Sequence, residues 1–180
     1  MKLEKTPLND AVVLLPTVFG DERGFFMETW NQAVFRELGL DVDFVQDNHS
    51  KSAKGILRGM HYQTEQTQGK LVRVTAGEVY DVAVDMRESS STFGQWFGVY
   101  LSAENQKMFW VPPGFAHGFY VVSDSAEFLY KCTDLYHPHS EVSLRWDDPQ
   151  LAIDWPLGET PPQLSEKDQK GLSFAEAPKF

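Results

Sequence analysis

A chain of 180 residues and 20.5 kDa suits one domain, and its 42% apolar and 23% charged residues argue against disorder. The 26 acidic and 16 basic residues leave a net charge of −10, without the basic footprint of a nucleic-acid binder, although a local basic patch still suits a small anionic ligand. One cysteine, Cys132, excludes an internal disulfide framework and favours a reducing compartment, and no apolar run approaches the roughly 20 residues that span a bilayer. No apolar stretch of signal-peptide length precedes Asp10, so the expectation is a soluble cytoplasmic protein with neither nucleic acid nor membrane as partner.

The first predicted element is a short helix over 31–40, where Val34 and Leu38 stand four apart and Gly39 supplies a stop. Most of the remaining chain reads as short strands separated by Gly, Pro, Asn, Asp and Ser. Residues 71–75 form one strand and Ala76-Gly77-Glu78 its turn. The segment 79–86 is the cleanest: Tyr80, Val82, Val84 and Met86 fall on one face, Asp81 and Asp85 on the other. Further strands are expected at 96–101, 108–111, 119–122, 127–133 and 141–146. Residues 155–162 are a Pro-rich connection without a domain boundary, and Ser165-Glu166-Lys167-Asp168 starts a second short helix. This is an all-β sandwich or barrel over 1–180, with a short C-terminal extension packed on it and one or two short peripheral helices.

Polar residues gather at the edges of these strands. Gly55 to Val74 holds Arg58, His61 and Lys70. Histidine suits proton abstraction near neutrality, and a lysine ammonium suits a developing oxyanion. The plainer reading is a hydrogen-bonded core histidine with solvated strand ends. Strict alternation puts Arg58 and His61 on opposite faces, and a bulge at Gly59 would reunite them. Val111-Pro112-Pro113-Gly114 is a rigid turn that aims His117 into the next strand. Phe128, Tyr130 and Cys132 share an inward face, so Tyr130 is a core tyrosine or a proton donor. Asp168 is explained by helix capping alone, with Asp in place of the usual Glu or Gln. Arg23 and Glu28 around Gly24-Phe25-Phe26, and Gln46-Asp47-Asn48, read as loop chemistry. His137 and His139 read as an exposed loop rather than a metal pair.

Taken in order, Asp21-Glu22-Arg23-Gly24, Leu57-Arg58-Gly59-Met60-His61-Tyr62-Gln63, Gln68-Gly69-Lys70-Leu71-Val72-Arg73-Val74, Asp81-Val82-Ala83-Val84-Asp85, Leu101-Ser102-Ala103-Glu104-Asn105, Pro113-Gly114-Phe115-Ala116-His117-Gly118-Phe119 and Tyr130-Lys131-Cys132-Thr133 resemble the dTDP-4-dehydrorhamnose 3,5-epimerase family. The resemblance runs from about residue 23 to 168. It implies a cupin-type jelly roll, a homodimer, no metal and no cofactor, and a dTDP-4-keto-6-deoxyhexose substrate on the route to dTDP-L-rhamnose. By motif, His61 matches the base, Tyr130 the acid on the opposite ring face, Asp168 the carboxylate orienting the base, and Lys70 the residue near the keto oxygen. Arg23, Glu28, Gln46, Asp47, Asn48, Arg58, His117, Glu141 and Lys167 match the nucleotide-sugar contacts. His61-Tyr62-Gln63 lacks the His-x-His pair of metal cupins, which disfavours a metal site. The rival readings are a single-centre epimerase or ketoisomerase on a related nucleotide sugar, a non-catalytic nucleotide-sugar-binding cupin, and a metal-dependent cupin.

Overall fold

Side chains alternate between the two faces of a strand, so a chain of short strands can bury one face of each between two layers. The computed structural model describes residues 1–180 and has that arrangement. In chain order the elements are β1 (Lys2–Lys5), β2 (Val12–Leu15), β3 (Val18–Asp21), β4 (Gly24–Met27), α1 (Gln32–Glu37), β5 (Gln46–Ala53), β6 (Leu57–Gln63), β7 (Lys70–Ala76), β8 (Glu78–Asp85), β9 (Trp96–Ser102), β10 (Met108–Val111), β11 (Phe115–Val121), β12 (Ser125–Cys132), β13 (Glu141–Ser143) and α2 (Glu166–Gln169). One sheet has the order β1-β2-β10-β7-β12-β5, the other β13-β6-β11-β8-β9, and β3-β4 is a separate hairpin. All strand pairs are antiparallel, and the two sheets face each other as the all-β jelly-roll barrel expected.

Three apolar layers hold it together. Between the sheets lie Val13, Val72, Val79, Ala83, Phe109, Phe119 and Phe128. Fully buried Phe109 and Phe128 each contribute about 1.5–3 kcal/mol there. On the outside of the five-stranded sheet, Val82, Val84 and Met86 meet Leu151, Trp155, Phe174 and Ala177 of the C-terminal extension. That extension therefore seals the second face of β8, whose two faces are both buried. Outside the six-stranded sheet, Leu14, Leu71 and Trp110 are covered by Phe35 of α1.

The first helix is shorter than expected. Asn31 caps α1 by accepting from the N–H groups of Ala33 and Val34, and Gly39 at φ +83° ends it, so it holds six residues rather than ten. Strand β11 starts four residues before the expected 119, which carries His117 into the sheet. Only Glu141–Ser143 of the expected strand at 141–146 pairs as a strand. Beyond it Leu144 still exchanges hydrogen bonds with Met60, but Arg145 N–H turns away to Leu172 O.

Candidate active site

A cavity of about 850 Å³ opens between the sheets at the end where α2 crosses the barrel mouth. Its floor depends on an irregularity in β6. Between the pairs Phe119↔Arg58 and His117↔His61, β6 uses three steps where β11 uses two. Arg58 and His61 therefore both line the cavity, as a bulge at Gly59 requires. Gly59 sits at φ +123°, and a Cβ there would stand 2.5 Å from Gly118 Cα and 2.8 Å from the His117 carbonyl oxygen. Only glycine lets the two backbones approach so closely.

Two histidines stand side by side on this sheet, each tied to a carboxylate. His61 Nε2 lies 2.5 Å from Asp168 Oδ1. Asp168 rides on α2, where its backbone N–H donates to the Ser165 hydroxyl at 3.2 Å. Its backbone thus serves the cap while its carboxylate, 3% exposed, serves His61. Burial pushes the Asp168 carboxyl up. The His61 hydrogen bond and charge, with Ser165 and Lys167, outweigh burial and hold it below the usual carboxylate range. The second pair is His117 Nε2 with Asp81, at 2.9 and 3.0 Å to the two carboxylate oxygens. Burial pushes the Asp81 carboxyl up against the opposing pull of His117 and Lys70.

The opposite wall comes from the six-stranded sheet. Lys70 on β7 reaches toward β6, and its ammonium has one protein acceptor, the His61 carbonyl oxygen at 3.4 Å. Burial pushes this ammonium below the usual lysine range, while Cys132, Glu141 and Asp81 oppose the shift. Tyr130 on β12 lines the cavity with a hydroxyl that has no protein partner. Burial, aided by Cys132, pushes its phenol up, so it stays protonated at neutral pH. At the mouth, Lys167 donates to Glu141 at 2.8 Å and the Tyr136 hydroxyl donates to the same carboxylate at 2.9 Å. Gln46 and Asn48 of β5 point inward and bond each other at 3.1 Å, and Arg58 donates to Ser52 Oγ at 2.9 Å. No three His, Cys, Asp or Glu side chains converge as a ligand set for a metal.

Comparison with known proteins agrees over the whole barrel. The family model for dTDP-4-dehydrorhamnose 3,5-epimerase matches residues 5–176. The chain belongs to that family. It is 58% identical to the dTDP-4-dehydrorhamnose 3,5-epimerase of Pseudomonas aeruginosa, covering 100% of this chain and 99% of that one. It is 56% identical to the Shigella flexneri enzyme of the same name, again covering 100% and 99%. A crystal structure of dTDP-6-deoxy-D-glucose-3,5-epimerase from Legionella pneumophila in complex with dTDP-4-keto-L-rhamnose superposes with a TM-score of 0.94 at 57% identity, covering 97% of this chain and 93% of that one.

Ten of the thirteen residues that the family motifs single out line the cavity: His61, Tyr130, Asp168, Lys70, Gln46, Asn48, Arg58, His117, Glu141 and Lys167. Three do not. Strand alternation on β5 turns Asp47 to the outer face, where Lys131 holds it at 2.9 Å. Arg23 and Glu28 lie outside this chain's cavity as well. Arg23 sits on the β3-β4 hairpin, 89% exposed and paired with Asp21, and Glu28 accepts from Asn31 at 3.0 Å. The sequence reading missed Gln68, Tyr136 and Gln163, which line the cavity, and Asp81, which stands behind His117. For Asp81 the signal was present, a carboxylate inside a strand whose neighbours Val82, Ala83 and Val84 are all apolar. His137, in the same loop as His139, bonds Ser140 Oγ at 2.9 Å.

Proposed function

We propose that this chain catalyses the 3,5-epimerisation of dTDP-4-dehydro-6-deoxy-D-glucose to dTDP-4-dehydro-L-rhamnose, with the cavity residues as its machinery. The observation that carries the assignment of roles is the opposition of the walls. The His61–Asp168 pair stands on β6 and α2, and Tyr130 stands on β12 of the other sheet. A sugar ring lying between them has a base on one face and an acid on the other.

The steps follow from the atoms. Asp168 occupies Nε2 of His61, which leaves Nδ1 to take a proton α to the ketone. The electron pair of that C–H bond moves into the carbonyl, and the C4 oxygen becomes an enolate. The Lys70 ammonium, with no carboxylate bound to it, is placed to meet that charge. Tyr130 then delivers its proton to the same carbon from the opposite face, which inverts it. The phenolate regains a proton and His61 releases its own to solvent before the second carbon reacts. C3 and C5 both flank C4, so one base and one acid serve both. Arg58 and Lys167 offset the pyrophosphate charge locally in a chain of net −10.

The assembly is a homodimer in this reading. The β3-β4 hairpin is a two-stranded ribbon that carries Phe19, Phe25 and Phe26 at 63%, 62% and 68% exposure. An isolated ribbon is marginal in water, and an aromatic cluster of this kind needs a cover. A second copy covers it and receives Arg23 and Glu28 at its own cavity. The reaction belongs in the cytoplasm, where the buried, unbridged Cys132 stays reduced. No helix is long and apolar enough to cross a membrane. The test of the roles is His61→Ala, which abolishes deuterium exchange at C3 and C5 together while dTDP still binds. Exchange at either carbon at the wild-type rate would overturn the assignment of the base.

A further inference from the structure

Asp81 is a buried charge beside the cavity that the epimerisation steps do not use. It lies on β8, with no exposed surface, between Val79 and Ala83 of the inter-sheet core. Both carboxylate oxygens go to one partner, Nε2 of His117. A carboxylate in such surroundings is costly to desolvate, and a well-packed apolar pair would hold a barrel at least as firmly. Its only partner is a ring that lines the substrate cavity. Costly buried charges of this kind are kept where a site needs them.

The ring is held on every side but one. His117 stacks on Phe128 with centroids 6.1 Å apart and planes at 29°, and its backbone is fixed in register with Ala83 on one side and His61 on the other. Nε2 belongs to Asp81. Nδ1 has no protein partner, and it is not among the sealed polar atoms that lack one. That edge therefore opens on the cavity, next to the proposed base.

We propose that Asp81 is a positioning residue for the epimerisation, holding the Nε2–H of His117 so that Nδ1 of that ring is presented to the bound keto sugar. With Nε2 fixed as a donor, the neutral ring offers Nδ1 as an acceptor and the imidazolium offers it as a donor. Either way the ring cannot flip or change tautomer when substrate enters. The other charged or titratable groups around the pair are Lys70, whose field reaches Asp81, and His61 on the neighbouring strand. The proposal rests on the cavity being the keto-sugar site, so its test includes a measurement that needs no turnover.

That measurement is 15N NMR of the histidine side chains in the wild-type protein. The expected spectrum has His117 protonated at Nε2. A neutral His117 protonated at Nδ1 alone would overturn the proposal, whatever the activity. The kinetic arm compares Asp81→Asn, His117→Gln and the double variant. Asp81→Asn is expected to lower kcat about 100-fold, in the range seen when a preorganised donor is lost. Its affinity for dTDP should stay within about twofold of wild type. If Asp81 acts through His117, adding Asp81→Asn to His117→Gln lowers kcat by less than about threefold further. Losses that multiply, or wild-type kcat in Asp81→Asn, would overturn the proposal. A wild type inactive on the keto sugar would instead refute the assigned function, with the NMR result standing separately.

Discussion

Asp168→Asn separates two explanations of one carboxylate. The side chain is 3% exposed and bonds His61 at 2.5 Å, while the helix cap uses only its backbone N–H. The substitution keeps size and cap and removes the charge. Two losses follow. The charge-assisted hydrogen bond contributes about 1.5–3 kcal/mol, so the melting temperature falls. An amide can also donate to Nε2, which moves the His61 proton to Nδ1 and blocks the nitrogen assigned to proton abstraction. Loss of general base help costs about 10²–10⁴ in rate, so kcat should fall by that factor, short of the complete loss expected for His61→Ala. The stability difference has a pH signature. The folded Asp168 carboxyl titrates below its ordinary value of 3.8, so the stabilisation is fully present above that pH. It is lost as pH falls through the lower, folded value. Wild type and variant should therefore differ in melting temperature at pH 7 and converge in strong acid. The assay is solvent deuterium exchange into the sugar, normalised to folded protein, with melting curves across pH. Wild-type exchange per folded molecule with a loss of at most about 1 kcal/mol would refute the reasoning and leave Asp168 as a structural partner of His61 with no part in the reaction.

Tyr130→Phe should keep part of the deuterium exchange while net inversion falls about 10²–10⁴-fold, and an unchanged inversion rate by NMR would contradict the role of acid. Lys70→Met should lower kcat about 10²–10³-fold. It should also raise stability, because a half-buried ammonium with one weak acceptor is replaced by an apolar chain; a gain of about 1 kcal/mol reads as roughly 2–4 °C in Tm. A lower Tm with retained kcat would reverse both conclusions. Phe26→Asp should give monomers by light scattering, and Arg23→Ala should raise KM at least about tenfold although Arg23 lies outside its own cavity; an Arg23→Ala variant with wild-type KM would place that residue outside both sites.

The barrel was legible where strands carry a buried apolar face. Residues 79–86, 96–101 and 108–111 alternate or run apolar, and they appear as β8, β9 and β10 with small shifts. The six strands before residue 64 were not. Strand β5 reads Gln-Asp-Asn-His-Ser-Lys-Ser-Ala, without one large apolar residue, because its inner side chains line a polar cavity rather than a core. Its period-2 pattern is written in hydrogen-bonding groups, which a hydrophobicity reading does not see. The same alternation explains why Gln46 and Asn48 enter the cavity and Asp47 does not. From its local pattern Asp168 was legible only as a cap, because its partner His61 is 107 residues away; only the family resemblance joined the two. Arg23 and Glu28 show a different limit: their motif is readable, but a single chain gives them nothing to touch beyond their own hairpin and helix start.

The central claim is that one cavity inverts two carbons through a shared enolate chemistry. The most direct measurement is NMR of the wild-type reaction in heavy water, starting from dTDP-4-dehydro-6-deoxy-D-glucose. The account predicts deuterium at both C3 and C5 and a product with both centres inverted. Deuterium and inversion at one carbon alone, with the other proton retained, would contradict it.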